Sequence, residues 1–263
     1  IPKDAYYGVQ TTRAIENFPI TKMTMHPELI RAFAIVKKSS ALANAAIGKL
    51  DATIANAIAQ ASDDIIKGNL HDQFVVDPIQ GGAGTSMNMN ANEVIANRAL
   101  EILGEEKGTY SIISPNSHVN MAQSTNDAFP SAIHIATVTT LDKLIMAMEV
   151  MRDSFIQKSV EFDSIVKMGR THLQDAVPIR LGQEFGAYAA VVARDIARIK
   201  KAQQTMLQIN IGATAIGTGL NADTQYMKLA VENIAAYSGF PFIKVDNLID
   251  GTQNTDTYAE VSS

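Results

Sequence analysis

The sequence predicts a mainly α protein in which a mostly helical N-terminal domain is followed by a bundle of long helices. Two observations carry this. Apolar residues recur at alternating steps of four and three, as Thr137, Leu141, Leu144, Met148, Met151 and Phe155 and again as Leu181, Phe185, Tyr188, Val192, Ile196 and Ile199. That is the spacing of a helical seam, not of a strand. Between such runs lie strings rich in Gly, Asn and Ser, which interrupt helices and form turns. The 263 residues also reach the size, about 250 to 300 residues, at which a single hydrophobic core stops growing efficiently. Two domains are therefore expected, 1–127 and 128–263, with the change of pattern at 126–130 as the boundary.

Taken in order, the first helix is read over 27–49. It opens on Pro27-Glu28 and carries Leu29, Phe33, Val36, Leu42 and Ile47 at helical spacing. A second begins after Asp51, a residue suited to cap a helix start, places Ile54, Ile58, Ile65 and Ile66 on one side, and stops at Gly68. The run 74–76 reads as a short strand, and 90–103 as a third helix ending before Gly104. The long seam starts after Pro130. Its counterpart over 179–208 brings small residues, Gly182, Gly186, Ala189, Ala190, Ala193 and Ala197, beside the apolar ones. Thirty helical residues extend about 45 Å. Periodicity does not count chains, so the bundle is either intramolecular or shared between subunits. The last residues, 257–263, read as a helix with no Gly or Pro stop, and the first have no initiator Met. Both ends read as edges of a longer chain.

Composition narrows the function. A net charge of -5, with no local cluster of Lys and Arg, gives no general attraction for nucleic acid. Without cysteine there is no disulfide and no thiolate metal site, which fits a cytoplasmic chain. Apolar stretches such as 132–140 fall well short of the roughly 20 residues of a membrane span. His26, His71, His118 and His134 lack metal-ligand spacing, so no metal is expected.

Four polar strings remain as candidates for chemistry. Gly81-Gly82-Ala83-Gly84-Thr85-Ser86-Met87-Asn88-Met89-Asn90 is a glycine-rich turn feeding a helix, able to cradle an anion on backbone N–H groups or simply to turn and cap. It matches neither nucleotide fingerprint, since Met87 stands where a third glycine is needed and no Gly-Lys-Ser/Thr follows. In the second string, Ser124, Thr125 and Asn126 offer neutral donors, and Asn126 also an acceptor, that would orient a carboxylate and an amine; the same Ser-Thr-Asn-Asp run is also a common helix cap. The third, 169–178, carries Thr171 and His172, the latter either a polarising group near neutral pH or a structural hydrogen-bonding residue. The fourth, 212–221, reads from its glycines as a turn.

Three of these strings, GGAGTSMNMNANEV (81–94), AQSTNDAFP (122–130) and GRTHLQDAVPIRLGQEF (169–185), occur in this order. Together they resemble the aspartase/fumarase superfamily, and the likeness runs from Asp4-Ala5-Tyr6-Tyr7-Gly8-Val9-Gln10 to the end of the chain. Ala83, Ser86 and Thr125 resemble its ammonia-lyases, where its hydratases tend to have GGSGTQ and Ser-Ser-Asn. The resemblance implies a homotetramer with a long-helix core and active sites composed from three subunits. It implies deamination of L-aspartate to fumarate through an aci-carboxylate, with no cofactor. Thr85, Ser124, Thr125 and Asn126 would hold the side-chain carboxylate and amino group; Thr171 and His172 of a neighbouring subunit would hold the other carboxylate. The superfamily's catalytic base is a serine in a Gly-Ser-Ser-x-Met-Pro loop, which these residues lack, so no catalytic residue is assigned here, Ser262-Ser263 included.

Overall fold

In a computed structural model, residues 1–81 and 84–263 are described. The chain separates into two compact units, one of 1–137 with 206–256 and one of 138–205 with 257–263.

The first unit is helical. Its helices are α1 (Val9–Asn17), α2 (Pro27–Ala46), α3 (Ala52–Ile66) and α4 (Thr85–Ile102), then the start of α5 (Thr125–Glu161). The start signals work as their chemistry requires: Asp51 accepts hydrogen bonds from the Thr53 and Ile54 N–H groups, and Pro27 occupies the first turn of α2, where its missing N–H costs nothing. The stops fall at Gly48, Gly68 and Gly104, all with positive φ, a conformation that glycine adopts without Cβ strain. Helix α2 packs against α3, α4 and, from the far end of the chain, α7 (Thr224–Ser238). Surrounded in this way, it buries Ile30, Phe33, Val36 and also polar residues such as Lys37 and Ser40. Glu93 of α4 accepts from the Gly8, Gln10 and Thr11 N–H groups and clamps α1 onto α4.

Two expectations change here. The stretch 74–76 is no strand: Phe74 and Val76 are buried, and the Val75 N–H is satisfied by the Asn90 side chain instead of a neighbouring strand. Helix α4 begins five residues before the expected Asn90, because Gly84 with φ 82° and ψ 21° turns the chain directly into it.

Helix α5 likewise begins ahead of Pro130 and contains it. A proline within a helix leaves the carbonyl four residues back without its N–H partner. That carbonyl belongs to Asn126, and the Asn210 side-chain amide donates to it at 3.0 Å. The helix continues because a distant residue fills the gap.

The second unit contains the rest of α5 and the antiparallel α6 (Leu181–Thr205). Ile145 of α5 and Val192 and Ile196 of α6 form its core, flanked by Met148, Phe155 and Ile199, and Phe155 packs on Phe185 and Tyr188. The predicted seams therefore meet each other. Gly182 is obligatory: a Cβ there would lie 2.3 Å from the Ser159 carbonyl. The polar string 169–178 between the two long helices belongs to a hairpin, β1 (Val166–Thr171) paired antiparallel with β2 (Gln174–Arg180), so the second long helix begins at Leu181, two residues after the expected start at Ile179. In the first unit, β3 (Gln208–Ile209) pairs in parallel with β4 (Ile243–Lys244); α8 (Asp250–Gln253) follows there and α9 (Asp256–Ser262) closes the chain. None of the described helices is long and apolar enough to cross a membrane.

Candidate active site

The start of α5 is organised by two residues. Ser124 is its cap, with Oγ accepting from the Asn126 N–H at 3.2 Å while the Ser124 N–H donates to Asp127 Oδ1 at 3.0 Å, a reciprocal pairing that satisfies helix-end donors. The other oxygen of Asp127 accepts from the Gly212 and Thr214 N–H groups at 3.1 and 2.9 Å. One carboxylate thus fastens the turn 212–221 to the helix start. Asp127 is fully buried; burial pushes its carboxyl up to about 6, against the opposing pull of these N–H groups and of Lys37. The fourth polar string is a turn, as its glycines indicate, and it also reaches this cluster: its Ala215 carbonyl accepts from Asn126 Nδ2. This uses one of the two Asn126 amide protons and leaves the other, together with Oδ1, for further partners.

Beneath Thr125 lies a buried cation. Lys37 Nζ donates to Asn88 Oδ1 at 2.7 Å, Asn120 Oδ1 at 2.8 Å and Gln123 Oε1 at 2.9 Å. Burial pushes the amine down to about 7, opposed by Asp127; three oxygen acceptors call for three N–H donors and hence for the ammonium form. Asn88 Nδ2 in turn donates to Thr125 Oγ1 at 3.0 Å.

Thr85 heads α4 and is exposed. The Met87 N–H behind it is taken by Gln80 Oε1 at 2.9 Å. A Cβ on Gly84 would meet Phe129 ring carbons at 2.3 to 2.5 Å, so the starts of α4 and α5 are pressed together, and this brings Thr85 into the neighbourhood of Ser124, Thr125 and Asn126. Gly82 and Ala83, the latter one of the three residues that set ammonia-lyases apart from hydratases, lie outside the described residues. Among the described residues no three His, Asp or Glu side chains stand together as a metal site would require.

Thr171 and His172 belong to the second unit, at the tip of the hairpin. Thr171 pairs with Gln174 across a two-residue turn of His172 and Leu173 with φ 51° and 60°. Two positive φ values are what such a tight hairpin turn requires, and Asn-Gly is the usual way to supply them. Here His172 and Leu173 do so, both exposed, Leu173 almost completely.

The sequence reading missed Lys37, Asn88, Asn120, Gln123 and Asp127. A signal existed for Lys37: it stands four residues after Phe33 and four before Ala41, in phase with the apolar face of α2, where a charged residue must find partners inside.

A family model described as Lyase matches residues 1–263. An aspartate ammonia-lyase from Bacillus sp is 62% identical over the whole of this chain, which spans 56% of that relative's length. Among solved structures, a fumarate lyase:delta crystallin from Brucella melitensis superposes with a TM-score of 0.97 at 46% identity, over all of this chain and 57% of the other. A class II fumarase from Schistosoma mansoni gives a TM-score of 0.95 at 28% identity, over all of this chain and 58% of the other.

Proposed function

Since the chain belongs to this lyase family, within the aspartase/fumarase superfamily, we propose that the protein carrying it is an aspartate ammonia-lyase that converts L-aspartate reversibly to fumarate and ammonia. The observation that carries the reading is the cluster of neutral donors at the adjoining starts of α4 and α5, in a chain 62% identical to an ammonia-lyase and 28% identical to a fumarase.

In this reading, residues 1–127 contribute the substrate-binding loops and 128–263 the front of the long-helix bundle. Thr85, Ser124, Thr125 and Asn126 receive the side-chain carboxylate and the amino group. A base takes the Cβ proton, the electron pair moves into the side-chain carboxylate to give the aci form, and its return to form the double bond expels ammonia from Cα. The extra charge on that carboxylate is what hydroxyl and amide donors stabilise, and loss of one such donor typically costs about 2.7 to 4 kcal/mol. The base is a serine of the superfamily's Gly-Ser-Ser-x-Met-Pro loop, outside these 263 residues. Thr171 and His172 hold the second carboxylate from a neighbouring copy in a cytoplasmic homotetramer. Support for the assembly comes from the second unit, where α5 exposes Met146, Val150 and Val160 by 62%, 68% and 75%, apolar side chains of the kind that an association surface covers.

The test is to supply L-aspartate and L-malate in turn and to follow fumarate by its ultraviolet absorbance. Turnover of malate but not aspartate would replace this reading with a hydratase. With aspartate, Thr85→Val and Asn126→Ala are each expected to lower kcat about 100-fold or more while the assembled mass stays unchanged; normal turnover in both would remove the site assignment.

A further inference from the structure

Lys37 touches no residue assigned to the substrate, yet it determines how one of them presents itself. An ammonium group only donates, so the amides of Asn88, Asn120 and Gln123 must all turn their oxygens toward it. Their NH2 groups are then forced outward. Those of Asn120 and Gln123 end on backbone carbonyls, of Gln123 in one case and of Val119 and Met121 in the other. Asn88 differs. Its NH2 group donates to Asn120 Oδ1 at 3.2 Å and to Thr125 Oγ1 at 3.0 Å. A threonine hydroxyl has one proton; with Oγ1 accepting from Asn88, that proton points away from Asn88. Were the Asn88 amide reversed, its oxygen would face Thr125 and draw the proton inward.

We propose that Lys37 is a positioning residue for Thr125: through Asn88 it fixes the direction of the hydrogen-bond chain, so that the Thr125 hydroxyl is held as a donor toward a ligand carboxylate. The proposal rests on the reading above that Thr125 meets the substrate. A purely architectural role, tying α2 to α4 and to the segment 120–123, would leave the contribution of the Thr125 hydroxyl intact whenever the chain still folds.

That difference is measurable in the full enzyme as a double-mutant cycle on kcat/KM for L-aspartate. Thr125→Val alone is expected to lose about 100-fold. Asn88→Asp keeps a partner for Lys37 but offers Thr125 an oxygen in place of an NH2, which reverses the chain. In that background, and in Lys37→Met, adding Thr125→Val should cost less than about threefold, because the hydroxyl has already ceased to donate outward. Should Lys37→Met fail to fold, Asn88→Asp decides the matter alone. Repulsion of the substrate by the new carboxylate would lower activity without removing the Thr125 contribution. A full Thr125→Val loss retained in Asn88→Asp therefore overturns the proposal while leaving the proposed function standing. Full activity of Thr125→Val in the otherwise natural enzyme, or no turnover of L-aspartate, would overturn both.

Discussion

Asp127→Ala is expected to lower the unfolding free energy by about 3 kcal/mol or more at pH 5, because it orphans the Ser124, Gly212 and Thr214 N–H groups at once and each buried unpaired donor costs about 1 to 3 kcal/mol. The same change frees the turn 212–221, and with it the Ala215 carbonyl that holds Asn126, so aspartate turnover should fall together with stability. The effect has a defined pH dependence. The folded carboxyl, at about 6, lies above its ordinary 3.8, so the folded chain binds the extra proton more tightly than the unfolded one. This group's contribution to stability is therefore greatest below about pH 4 and declines as pH rises to about 6; above that it is lower by an amount on the order of 3 kcal/mol. The gap between the natural chain and Asp127→Ala should accordingly be widest in acid and narrow toward pH 8. Urea unfolding at pH 5 and pH 8 measures it. A gap that widened with pH would mean that the carboxylate is stabilised in place, contrary to the dominance of burial.

Gly84→Ala is the second change with a large expected effect, a loss of about 2 to 5 kcal/mol together with most of the activity. Two costs add. A residue with a Cβ in the left-handed conformation loses about 1 to 2 kcal/mol, and the new methyl would stand 2.3 to 2.5 Å from Phe129 ring carbons, an overpacking of the kind that costs about 1 to 3 kcal/mol. Phe129 has little room to retreat, since its ring packs against Phe33 at 5.9 Å between centroids. Relief requires α4 to shift, and Thr85 is its first residue. The separation of the two costs is testable: Phe129→Leu should recover the packing part of the thermal stability of Gly84→Ala and leave the backbone part. If Phe129→Leu brings no recovery, the close approach of the two helix starts is not the cause.

Much of the fold was legible because it is local. Helix starts at Pro27 and Asp51, stops at Gly68 and Gly104, and the two apolar seams all follow from interactions within about four residues, whereas the first helix, read to 49, ends at Ala46 ahead of Gly48. Two of the readings that went astray did so where a distant group intervened. Pro130 reads as the edge of a helix, and it lies inside one because Asn210 supplies the hydrogen bond that the proline removes. Residues 74–76 have a strand's apolar pattern but take their partner from the Asn90 side chain. The hairpin Val166–Thr171 with Gln174–Arg180 lacked its usual sign, because His172 and Leu173 fill turn positions that glycine or asparagine would mark.

For the candidate site the division is the same. Legible in the residues alone were the helical class, the two apolar seams, the polar strings with Thr85, Ser124, Thr125, Asn126, Thr171 and His172, and the family to which they point; that the seams meet each other came from the fold. The cap at the Ser-Thr-Asn-Asp run was legible too, and Ser124 supplies it; the tertiary structure was needed to show that Asp127 fastens a turn 85 residues later in the chain and that Lys37 donates to Asn88, whose amide donates to Thr125. The reason is physical. Helix periodicity and capping depend on neighbours a few residues away, whereas the direction of a buried hydrogen bond depends on which group from elsewhere in the chain arrives as donor and which as acceptor.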